Sequence, residues 1–126
     1  MKKYWFLPLT AALLFLLAAF SLSYLLQVTE NIDRQIQPLS ELIEREQWLD
    51  ATVGFDEAFK QWHQADRWLP TFINHDDMRD VEVAFIDLQI SLSQRKKEEA
   101  AKELSSLRYY LRHVSKNEKI TWQNIL

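Results

Sequence analysis

Residues 4–26 read YWFLPLTAALLFLLAAFSLSYLL, 23 positions without a charge and with only Thr10, Ser21 and Ser23 as uncharged polar breaks. As an α-helix this run spans about 34 Å at ~1.5 Å per residue, against a hydrocarbon core of ~30 Å, so it is long enough to cross a bilayer. Tyr4 and Trp5 at one edge and Tyr24 at the other stand where amphipathic rings prefer the headgroup level, and Pro8 falls in the first turns, where a missing N–H matters least. Lys2 and Lys3 precede the run, and the first charges after it are Glu30 and Asp33. The positive-inside rule then keeps the N-terminus in the cytoplasm and sends residues from about Gln27 onward across the plasma membrane. The expected division is a single-pass anchor over residues 1–26 and an exported domain over 27–126. A cleaved secretory signal is the rival reading, since it shares the basic start. Its apolar region is normally ~7–15 residues and ends in a small-x-small site. Here Ser21-Leu22-Ser23 is followed by Tyr24-Leu25-Leu26, which continues the apolar run and favours an uncleaved anchor.

Composition narrows the rest. The chain has 126 residues, no Cys, one Gly and three Pro. Without cysteine there is no disulfide framework, thiol nucleophile or thiolate metal site. So few turn formers fit neither a Gly-rich phosphate loop nor a fold of many hairpin strands, and no cofactor is expected. Apolar content of 48% beside 26% charge excludes disorder and leaves long helices.

Apolar spacing places those helices. Ile32, Ile36, Leu39 and Ile43 continue the first helix outward over about Thr29 to Arg45, with Pro38 able to kink or restart it. After a tight connection within Glu46 to Asp50, a second helix runs to about Leu69. It carries Trp48, Ala51, Phe55, Ala58, Phe59, Trp62, Ala65, Leu69 and Ile73 on one side, and Pro70 bends or ends it. Gly54 costs about 1 kcal/mol relative to Ala within a helix and allows a neighbouring helix to approach closely. Asn74-His75-Asp76-Asp77 reads as a turn and N-cap opening a third helix to about Leu92. One stripe of that helix is Met78, Val81, Ala84, Phe85, Leu88 and Leu92, and a second is Val83, Ile86 and Ile90, which predicts a helix sandwiched between neighbours. A fourth helix, about Lys97 to Val114, turns Ala100, Leu104, Leu107, Tyr110, Leu111 and Val114 inward, and a separate terminal turn starts at Ser115 or Thr121. The expected fold is all-α: a transmembrane helix, then a small antiparallel bundle of stacked helix hairpins. No repeat is evident in the letters.

Charge bears on partners. Residues 27–126 hold 13 basic and 18 acidic side chains, a net −5, which makes nucleic acid a poor partner. Residues 27–90 hold five basic and 14 acidic, a net −9, and residues 91–126 eight and four, a net +4. That imbalance favours docking of the last helix on the earlier ones or on a second copy, against the plainer reading of two solvated faces.

Trp48 with Ala51, then Trp62, Trp68, Phe72-Ile73-Asn74-His75, Ala100 with Glu103-Leu104, Leu107-Arg108, Leu111 with His113, and Asn124-Ile125-Leu126 follow one another in a familiar order. On these residues the chain resembles domain-of-unknown-function family 4363, small proteins of Gram-positive, largely spore-forming bacteria. The resemblance implies an N-terminal membrane segment and a helical exported part, and it carries no catalytic residues. Pro70 stands where that pattern usually has an aliphatic residue.

No enzymatic activity is expected. There is no Gly-x-Ser-x-Gly elbow, and the neighbouring carboxylates Asp76 with Asp77 and Glu98 with Glu99 point in different directions on a helix. The alternative is a small metal-binding sensor or metal-dependent enzyme built on His63, His75 and Asp77, although their spacing matches no recognised ligand pattern and His63 and His113 fall on polar helix sides. His75, at a helix junction, suits a capping role or a pH-sensing one. Aromatic residues are the feature in excess, and Trp68, Tyr109 and Trp122 are the ones the core stripes do not claim. Exposed together they would anchor a partner protein or a second copy. The expected function is a non-enzymatic interaction or scaffold module held at the membrane.

Overall fold

The structure, a computed structural model, describes the backbone of residues 4–68 and 75–125 and the side chains of residues 4–67 and 76–116. Among these residues every regular element is helical: α1 (Phe6–Ile36), α2 (Leu39–Glu44), α3 (Trp48–Trp68), α4 (His75–Ser93) and α5 (Lys97–Ile125). The expected all-α fold is the observed one.

The helix α1 divides into two parts without a break. From Phe6 to Tyr24 its large apolar side chains, half-buried Leu22 excepted, stand exposed, Phe20 at 72%. At Leu25 burial begins, and Leu25, Thr29, Ile32 and Ile36 are buried at helical spacing. The hydroxyl of buried Thr29 is satisfied locally, donating to the carbonyls of Leu25 and Leu26. Within Phe6–Glu44, an 18-residue stretch has a mean hydropathy of 2.2 with 6% of it buried, so the helix is long and apolar enough to cross a membrane. Pro38 supplies the expected restart. Gln37 and Pro38 keep right-handed helical dihedrals, but Pro38 has no N–H to donate, and α2 begins at Leu39.

α2 packs on α3 and α5, α1 packs on the same two, and α4 also packs on α3 and α5. The helices therefore form an up-down-up-down bundle in which α1 with α2 lies diagonal to α4. Both described hairpin turns are built alike. After α2, Glu46 donates to the Ile43 carbonyl (3.0 Å) and Gln47 to that of Leu42 (2.9 Å). After α4, Arg95 donates to Leu92 (3.1 Å) and Lys96 to Ser91 (3.1 Å). These are Schellman closures, and their left-handed positions are Glu46 (φ 57°) and Arg95 (φ 53°) rather than glycine.

Shifted by 49 residues, ten buried positions of each hairpin coincide. Thr29, Ile32, Ile36, Leu39 and Ile43 fall on Met78, Val81, Phe85, Leu88 and Leu92; Ala51, Phe55, Ala58, Trp62 and Ala65 fall on Ala100, Leu104, Leu107, Leu111 and Val114. The domain is a structural repeat of one hairpin, although only Leu39/Leu88 and Ala51/Ala100 keep the same residue among these pairs.

Several expectations need correction. Val83, Ile86 and Ile90 are exposed, so α4 is buried along one stripe and is not sandwiched. α5 runs unbroken to Ile125, so no separate terminal turn begins at Ser115 or Thr121. α4 starts at His75, which puts Asp76 and Asp77 inside its first turn, where their negative charge favours the positive end of the helix dipole. Asn74, Leu69, Pro70 and Ile73 lie outside the described residues. Gly54 performs the expected close approach: a Cβ there would stand 2.7 Å from Leu39 Cδ2.

Candidate functional site between α1 and α5

The two seams flanking α1 and α4 are chemically different. Between α3 and α4 the contact is aromatic: Phe59 stacks on Phe85 at 4.8 Å, and Phe55 and Trp62 pack around the same ring. Burial of such rings, with offset and edge contacts, makes this the dry side of the domain. Between α1 and α5 the contact is ionic. Arg108 donates through Nε to Asp33 Oδ1 (2.9 Å), and Arg112 Nε lies 3.6 Å from Asp33 Oδ2. Lys97 approaches Glu44 at 3.5 Å at the far end. The basic last helix thus forms ion pairs with the acidic first part within one chain, one of the three readings the charge imbalance left open.

Below the Asp33 cluster, toward the exposed apolar turns, the seam opens into a groove of about 640 Å³ lined by Leu26, Thr29, Glu30, Asp33, Leu111, Arg112, Ser115 and Lys116. Volumes of roughly 300–1,000 Å³ are those of small-molecule sites. The antiparallel register set by Arg108 and Asp33 brings Lys116, eight residues further along α5, to the level of Leu25 and Leu26. Glu30 is engaged by Arg34 at 3.0 Å and Asp33 by Arg108, whereas Lys116 makes no ion pair among the described residues. The lining itself balances two carboxylates against two cations, and only with the arginines that engage the carboxylates, Arg34 and Arg108, does the surrounding cluster carry a surplus of positive charge.

The residues singled out from the sequence lie elsewhere. Tyr109 is 62% exposed, edge-on to Tyr110 and stacked on His113 at 5.8 Å. The side chains of Trp68, Trp122 and His75 lie outside the described residues. His63 is exposed with its ring 4.3 Å from Phe59, and Asp77 is buried at the start of α4. Among the described residues no three His, Cys, Asp or Glu side chains gather as metal ligands would. The groove escaped sequence reading because its walls come from opposite ends of the chain, and the charge imbalance was its one trace.

Comparison with curated proteins and with solved structures gives no match. A family model described as "Domain of unknown function (DUF4363)" matches residues 19–125, from the last turns of the exposed apolar stretch to the end of α5, and the chain belongs to that family.

Proposed function

We propose that the protein is a single-pass plasma-membrane protein, N-terminus in the cytoplasm, whose extracytoplasmic bundle is a non-enzymatic interaction or scaffold module for a partner protein or a second copy. The observation that carries this is the continuity of α1: 19 uncharged positions from Phe6 to Tyr24, 15 of them exposed and the other four half-buried, run directly into the buried stripe of the bundle. At ~1.5 Å per residue those positions cover about 28 Å, close to the thickness of a hydrocarbon core. Lys2 and Lys3 directly before the run, with no basic residue after it until Arg34, support the orientation. Tyr109 is exposed, as an aromatic anchor of the type that dominates interfaces has to be, and Trp68 and Trp122 are the further candidates of the same type in the sequence.

The chain has no cysteine, so single introduced thiols report topology cleanly. In intact cells Ser93→Cys should react with a membrane-impermeant maleimide and Lys2→Cys should not, and the protein should stay in the membrane pellet through alkaline extraction. The reverse labelling, or release into the supernatant, overturns the anchor. Cross-linking in cells tests the module: replacing Trp68, Tyr109 and Trp122 by Ala should abolish a cross-linked complex while helical circular dichroism is retained. An unchanged complex rejects these anchors.

A further inference from the structure

We propose that the groove between α1 and α5 binds the phosphodiester headgroup of an anionic phospholipid from the leaflet nearest the bundle, through Arg112 and Lys116. The proposal rests on α1 crossing the membrane. Three observations carry it. The first is depth. Leu26 ends the apolar run, and Glu30 lies one turn beyond it, about 6 Å at ~1.5 Å per residue, within the ~5–8 Å taken by the headgroup layer on each side. On the facing wall Lys116 is level with Leu25 and Leu26, at the end of the bundle next to the exposed apolar stretch, where a long amine can reach along its stem toward the phosphates.

The second is charge. Both groove carboxylates already have an arginine: Glu30 has Arg34 at 3.0 Å, and Asp33 has Arg108 at 2.9 Å. Arg112 makes only the longer 3.6 Å approach to Asp33, which leaves guanidinium donors for a second acceptor. With Lys116 it forms a pair of cations four residues apart on one face of α5, a spacing that converges on a single phosphate. The third is contrast with the rest of the domain. Residues 27–126 carry a net −5, so general attraction to an anionic surface works against binding, and retention of an anionic lipid has to come from this local surplus.

The test uses the full chain, reconstituted in nanodiscs of equal phosphatidylglycerol and phosphatidylcholine, released in mild detergent and weighed with its bound lipid by native mass spectrometry. Retained lipid should be enriched at least threefold in phosphatidylglycerol. Arg112→Gln with Lys116→Gln should return it to the bulk ratio, and so should the single Lys116→Glu, which breaks no ion pair of the fold. Lys60→Gln, on exposed α3 surface, should leave the enrichment intact. Bulk composition in the wild type, or enrichment that survives Lys116→Glu, overturns the proposal. Loss of the enrichment in 10 mM inorganic phosphate would make free phosphate the ligand and equally overturns a lipid site. Alkaline extraction of the same protein separates the two readings: a chain that stays in the membrane but shows no lipid preference fails the groove alone, and a chain released fails the anchor.

Discussion

Arg108 and Asp33, 75 residues apart in sequence, form the half-buried ion pair that sets the register of the last helix against the first, with Nε to Oδ1 at 2.9 Å. Asp33 is only 20% exposed and takes Arg112 on its second oxygen. A charge-assisted hydrogen bond in such a setting contributes ~1.5–3 kcal/mol, well above an exposed pair. Removing the acid strands two guanidinium groups, while removing Arg108 leaves Arg112 beside the carboxylate. Asp33→Asn should therefore destabilise the full chain in detergent by about 2 kcal/mol and Arg108→Gln by about 1 kcal/mol, with the double variant costing less than their sum. Guanidinium unfolding followed by circular dichroism measures all three, and strict additivity would dissolve the pair as a structural element.

Gly54 offers a prediction of sign. In the wild-type background Gly54→Ala gains ~1 kcal/mol of helix propensity but drives a Cβ to 2.7 Å from Leu39 Cδ2, and overpacking a buried leucine costs ~1–3 kcal/mol. The net effect should be neutral to destabilising. With Leu39→Ala the obstruction is gone, and the same substitution should stabilise by about 1 kcal/mol relative to Leu39→Ala alone. A shift of the unfolding midpoint in the same direction in both backgrounds would mean that α2 and α3 do not meet at this point.

The sequence was legible where burial follows a helical period and opaque where it depends on neighbours. The inward stripes of α3 and α5 could be placed because Ala51, Phe55, Ala58 and Trp62, or Leu104, Leu107 and Leu111, recur every three or four residues. The same test misread Val83, Ile86 and Ile90, since periodicity marks apolar residues without saying whether a helix stands opposite them. The hairpin repeat left no trace in the letters because a core position asks only for apolar volume, so Trp62 and Leu111 serve alike. Tyr109 was legible as a residue outside the core. The groove was not, since Glu30 and Lys116 come to face one another only after two hairpins have folded.

The two hairpin turns lacked glycine, which is why neither was readable as a left-handed stop. Such a conformation costs an L-residue roughly 1 kcal/mol or more, offset in part by the greater freedom of glycine when unfolded. Glu46→Gly and Arg95→Gly should each stabilise by about 0.5 kcal/mol and, being in separate turns, should add. Glu46→Val, β-branched at φ 57°, should destabilise by at least 1 kcal/mol. Midpoint shifts in thermal unfolding check the set, and a destabilising glycine at either site would remove strain from the description of these turns.

Gln35 carries the remaining prediction. Its Oε1 is buried on α1 without a hydrogen-bond partner among the described residues, at the position that corresponds to buried Ala84 in the second hairpin. Removing a buried acceptor that pairs with nothing recovers a desolvation cost of ~1–3 kcal/mol, while the apolar part of the side chain is worth keeping. Gln35→Met retains the length and drops the amide, so it should stabilise by about 1 kcal/mol. Gln35→Ala should gain less, because it also gives up the packing of the stem against the bundle. If Gln35→Met instead destabilised the fold, the amide would have to be making a hydrogen bond in solution, and its burial on α1 could no longer be counted as a cost.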